Sequence, residues 1–152
     1  MKKRFWAAAA VGLAVAGLAA CGETSAPTEA APESPAGISV SNARLMLPAV
    51  SGNPGALYFE VKNDGEKNRM IRLVEIAGAG SAMMHSAEMF ELPQVPVPAG
   101  ETASFAPGEK HVMAMDLADT VTAGSTAEVT LTFVGGDKLS FPAEVRAAGD
   151  ER

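Results

Sequence analysis

The chain reads as an all-β protein, an antiparallel β-sandwich of Greek-key type, and three observations predict it. From Ile38 onward, apolar residues recur with period two in short runs, the spacing of strands buried on one face. Turn signals separate the runs at Ser51-Gly52-Asn53-Pro54-Gly55, Asn63-Asp64-Gly65, Pro107-Gly108 and Gly135-Gly136-Asp137. No window of a dozen residues carries a capped helical stripe. Short strands at this density pack as two facing sheets around one core.

In chain order, residues 1–20 read as a lipoprotein signal peptide. Lys2, Lys3 and Arg4 precede the apolar run from Phe5 to Ala20, which is short for a membrane span and rich in Ala and Gly. Leu18-Ala19-Ala20-Cys21 resembles the lipobox of bacterial lipoproteins, with Cys21 as the lipidated residue. Gly22 follows it with no Asp, which resembles lipoproteins sent to the outer membrane. The predicted location is therefore the periplasm, with the chain held to the membrane through its lipid. Residues 21–37 form the lipidated cysteine and a disordered tether, since GETSAPTEAAPESPAG offers nothing to anchor a core. Fully extended, the tether spans on the order of 50 Å at about 3.3 Å per residue.

Processing has chemical consequences. Cys21 is the sole cysteine, so none is left for a disulfide or a thiolate ligand. The net charge of −6 becomes −9 once Lys2, Lys3 and Arg4 leave. An acidic surface argues against nucleic acid or an anionic membrane surface as partner.

The domain proper is predicted over residues 38–148, with strands at 38–45, 56–63, 69–76, 81–90, 102–106, 110–116, 127–134 and 138–145. Ala127 to Val134 alternates most clearly, with Val129, Leu131 and Phe133 set against Thr130 and Thr132. Val95-Pro96-Val97-Pro98 is expected at an edge or crossover, because two prolines remove two ladder donors.

Chemistry concentrates between Ala82 and Leu117. This stretch holds both histidines, His85 and His111, and five of the eight methionines: Met83, Met84, Met89, Met113 and Met115. Neutral imidazole and thioether together suit Cu(I) better than a hard cation. In a strand, residues i and i+2 share a face, so His111 and Met113 project side by side and Met115 continues that face. Val112 and Ala114 then point into the core, with Asp116 on their side unless the strand has ended or bulged. Met83 and His85 likewise share a face, and Met84 takes the other. A tight connection through Ser86-Ala87-Glu88 returns Met89 toward His85. The expected metal ligands are His85, Met89, His111 and Met113. Methionines also fill cores, which is the expected role of Met46, Met70 and Met84, while Met115 fits either role. Glu88, Glu91 or Asp116 leave a zinc or Cu(II) site open as an alternative. No GxSxG or HExxH motif is present and no nucleophile adjoins either histidine, so an enzyme is not expected. A blue-copper centre needs a cysteine ligand that the domain lacks.

This pattern resembles the PCuAC family of periplasmic copper chaperones, whose signature is His or Met, ten residues, Met, twenty-one residues, His-x-Met. Met89, twenty-one intervening residues and His111-Val112-Met113 match the second part. The first part departs, because only three residues separate His85 from Met89, as if the first metal-binding hairpin were shortened by seven. The likeness covers residues 38 to 145. It implies a cupredoxin-like sandwich and a carrier that binds Cu(I) and passes it to a periplasmic client. That client would be the CuA centre of cytochrome c oxidase, with a thioredoxin-like protein as a further partner. The competing expectation, from a different class, is a metal-free β-sandwich lipoprotein serving as a binding or structural module.

Overall fold

The computed structural model describes residues 35–150, so the signal peptide, Cys21 and most of the tether lie outside the described residues. Nine strands follow one another: β1 (Ile38–Met46), β2 (Gly55–Asn63), β3 (Arg69–Ile76), β4 (Ser81–His85), β5 (Val95–Val97), β6 (Thr102–Phe105), β7 (His111–Met115), β8 (Thr126–Phe133) and β9 (Lys138–Arg146). They form one curled sheet in the order β4-β7-β2-β1-β9-β8-β3-β5, with β6 joining the same strand, β2, that β7 pairs. The two halves fold over one another, and β5 touches β2 and β6 across the interior without pairing them.

Period-two alternation becomes the core. Val129, Leu131 and Phe133 of β8 are fully buried, as are Leu57 and Val61 of β2 and Val112 and Ala114 of β7. Phe59 of β2 stacks on Phe105 of β6 at 4.4 Å and meets Phe141 of β9 at 5.6 Å, so aromatic contact joins the two halves.

Three features depart from the sequence expectation. One pairing is parallel: Arg44, Leu45 and Met46 of β1 run alongside Glu144, Val145 and Arg146 of β9, closing one half onto the other and making the sheet mixed. β1 carries a bulge between Ser41 and Arg44, with Asn42 at φ 56°, where its register against β2 shifts. The run expected as strand 81–90 stops at His85, because residues 86–90 turn back. Val95-Pro96-Val97 does lie at an edge, as β5, with Pro96 opposite Met70. The Pro35–Gly37 turn, read as the end of the tether, meets the domain: Ile38 N–H donates to Pro35 O and Asp64 N–H to Gly37 O.

One buried polar residue ties a corner together. Asn63 is fully buried at the end of β2, and its Nδ2 donates to Lys67 O (2.8 Å) and Val97 O (2.9 Å). Its Oδ1 accepts from Gly65 N–H at 3.1 Å. These bonds offset the cost of burying the amide and hold the β2–β3 turn to β5.

Candidate metal centre

β7 is placed from behind and from its start. Leu57, Ala56 and Gly55 of β2 pair Val112, Met113 and Ala114. A Cβ on Gly55 would stand 2.8 Å from both Leu117 Cδ1 and Met46 O, so only glycine lets β1, β2 and the end of β7 meet this closely. β6 pairs β2 over Phe59–Lys62, and the chain then leaves the sheet for one tight turn through Pro107-Gly108. Gly108 takes φ 77° there, a conformation glycine adopts at no steric cost. Ala106 N–H donates to Lys110 O, the chain re-enters the sheet, and His111 is the first residue of β7.

β4 pairs β7 antiparallel and in register. His85 faces His111, Met83 faces Met113 and Ser81 faces Met115. By strand alternation these six residues share one face, while Met84, Val112 and Ala114 point to the core and are buried. Both histidines and Met83, Met113 and Met115 are half-buried, reachable from solvent yet packed. The imidazole rings lie 6.1 Å apart between centroids and only 21° from parallel, so the two side chains stand next to one another on this face.

The two histidines are oriented alike. His85 Nδ1 lies 3.3 Å from Met83 O and His111 Nδ1 lies 3.0 Å from Glu109 O. A carbonyl oxygen only accepts, so Nδ1 carries the proton in each bond. In the neutral ring the lone pair then sits on Nε2, the nitrogen left for a metal. The same backbone-oriented tautomer thus occurs on both strands.

Met89 is placed differently. Beyond His85 the chain turns through residues 86–90, closed by Ser86 N–H donating to Phe90 O at 2.9 Å and Met89 N–H donating to Ser86 O at 3.0 Å. Ser86 Oγ also accepts from the N–H groups of Glu88 and Phe90. Met89 takes φ 67° and is 54% exposed, and Phe90 beside it is 71% exposed. The return strand brings Glu91 opposite His85, on the edge away from β7, and Leu92 N–H donates to Met84 O.

The sequence-predicted ligands therefore fall into two groups. His85, His111 and Met113 share one face, and Met89 stands at the tip of the adjoining turn. Met83, which residue spacing alone left unassigned, lies directly opposite Met113. The signal for it was the shared parity of Met83 with His85; what was missing was the register between the strands.

A carboxylate-rich site does not form. Asp116 follows the end of β7 with φ 51° and is exposed, which agrees with a strand that has ended. Glu88 is engaged within the turn, where the Ser86 hydroxyl and then its own backbone N–H hold its carboxyl below the usual range. Among the described residues no three His, Cys, Asp or Glu side chains gather closely enough to hold an ion. What gathers is two imidazoles and thioethers.

The sequence profile of the LpqE-like family, named for a lipoprotein, matches residues 38–145. No protein with a curated description matches. Among solved structures, the copper-bound PCuAC domain from PmoF2 superposes with a TM-score of 0.65 at 25% identity, covering 73% of this chain and 93% of that one. The apo PCuAC domain from PmoF1 gives 0.66 at 24% identity, over 73% and 94% of the two chains. The Cu(I) form of DR1885 from Deinococcus radiodurans gives 0.62 at 23%, over 72% and 78%. The cupredoxin-like fold expected from the PCuAC resemblance is thus the observed one.

Proposed function

The chain belongs to the LpqE-like family, and we propose that it is a copper chaperone binding Cu(I) through His85, Met89, His111 and Met113. The observation that carries this reading is the pair of facing histidines. Both have Nδ1 committed to a backbone carbonyl and Nε2 left for an ion, and Met113 stands on the same face. The similarity to PCuAC domains solved with copper supports the same reading.

The chemistry suits a carrier rather than a catalyst. Thioethers are uncharged, take no proton and form no disulfides, so they hold a soft ion in an oxidising compartment and release it without a redox step. Imidazole contributes only when neutral, and the Nδ1 bonds keep each ring pre-oriented. A half-buried face at the edge of a sheet lets an acceptor approach the ion directly. In this reading the client is a periplasmic copper-accepting protein such as the CuA subunit of cytochrome c oxidase. The chain is held to the membrane, in this reading the outer one, through lipid on Cys21. The Leu18-Ala19-Ala20-Cys21 motif and the lipoprotein name of the family support the anchor.

Competition for Cu(I) against a chromophoric chelator, with zinc measured in parallel, tests the reading. The chain is expected to bind one Cu(I) far more tightly than Zn(II). Equal or tighter zinc binding overturns the soft site, and no binding of either metal favours a metal-free interaction module.

A further inference from the structure

Met83 lies outside the donor set that the His-Met spacing selects, yet the register makes it the partner of Met113, as His85 is the partner of His111. Directly opposed residues in an antiparallel pair have Cβ atoms about 4.5–5.5 Å apart, and successive same-face residues lie one pleat further along. Two imidazoles on one rung and two thioethers on the next therefore make a four-donor patch on a single rigid face. The bland role of core filler falls to Met84, which points inward and is 5% exposed, whereas Met83 is half-buried on the histidine face. Met89 differs from both. It sits on a turn rather than a strand, is more than half exposed, and adjoins the exposed ring of Phe90.

We propose that Met83 is a further copper donor that shares the fourth position with Met89. This inference rests on the copper reading above. Met83 holds the ion against the strand face beside His85, His111 and Met113. Met89 replaces it when the ion moves toward the exposed turn for release. The exchange breaks one copper–sulfur bond as another forms, with no proton or electron transferred, because both ligands are neutral thioethers. It also gives the short hairpin a physical role, since the strand supplies a thioether of its own and the turn is left free for hand-off.

The test compares Met83→Leu, Met89→Leu and the double variant with the parent chain, by Cu(I) competition and by release to an added chelator. Leucine nearly conserves volume and removes only the sulfur, and apo melting temperatures check that each variant folds. Met83→Leu is expected to lower Cu(I) affinity at least about threefold. The double variant should fall at least about tenfold below Met89→Leu alone. Met89→Leu should slow release while Met83→Leu does not. X-ray absorption at the copper edge of Met89→Leu should still show two thioether sulfurs. A double variant indistinguishable from Met89→Leu, or a single sulfur in that spectrum, overturns the role of Met83 while leaving the copper reading intact. Failure of the parent chain to prefer Cu(I) overturns the reading on which it rests.

Discussion

At the residue scale the decisive atoms are two Nδ1–H groups and one sulfur. Each histidine spends its Nδ1 proton on a carbonyl two residues upstream, so the strand backbone selects the tautomer and no second side chain is required. Met113 joins them because it is two residues from His111 and so shares its face. If it is a ligand, Met113→Leu should leave the apo melting temperature within a few degrees, since such swaps cost under about 1.5 kcal/mol. Cu(I) affinity should then fall at least tenfold, about 1.4 kcal/mol. Met70→Leu at the β3–β5 edge is the control and should leave copper binding unchanged. Wild-type affinity in Met113→Leu would reduce the His-x-Met strand to packing.

At the element scale, β4 and β7 carry the candidate site and the turn after β4 carries Met89. β4 ends at His85 because the Ser86 hydroxyl and backbone close the turn at once, which sets Met89 at a tip rather than further along a strand. In β3 the register against β8 shifts between Ile71 and Leu73, so that Leu73 rather than Arg72 faces Thr132. Thr132, expected on the outer side with Thr130, is 3% exposed, and its Oγ1 finds no hydrogen-bond partner among the described residues. An unpaired buried hydroxyl costs about 1–3 kcal/mol. Thr132→Val, which keeps the branched shape, should therefore raise stability by about 1 kcal/mol in denaturant unfolding without touching copper binding. A lower midpoint would show that the hydroxyl does useful bonding.

At the scale of the whole molecule, one curled mixed sheet closes on itself through the parallel β1–β9 pair and leaves the outer face of β4 and β7 reachable from solvent. The core and the candidate metal-binding face are opposite sides of the same two strands, so packing of Val112 and Ala114 fixes the backbone that carries His111 and Met113. Cys21→Ser should abolish lipidation and shift exported chain from the membrane to the soluble fraction. Membrane fractionation like that of the parent chain would refute the lipobox.

The sequence by itself determined what depends on local periodicity and chemistry. Period two marked most of the strands, the prolines put Val95–Val97 at an edge, and the parity of residues 111, 113 and 115 separated site-facing from core-facing side chains. Two histidines among methionines, in a domain with no cysteine and no further histidine, narrowed the candidate donors to a handful. The tertiary structure alone decided which strand lies beside which and in what register. Register is a non-local property, because a one-residue slip of β4 against β7 would have set Met84 across from Met113 and carried His85 to the core face. For the same reason the Met83–Met113 rung, the parallel closure of β1 on β9 and the burial of Thr132 have no local signature. Each arises where segments far apart in sequence share hydrogen bonds, and each is fixed by how the core packs.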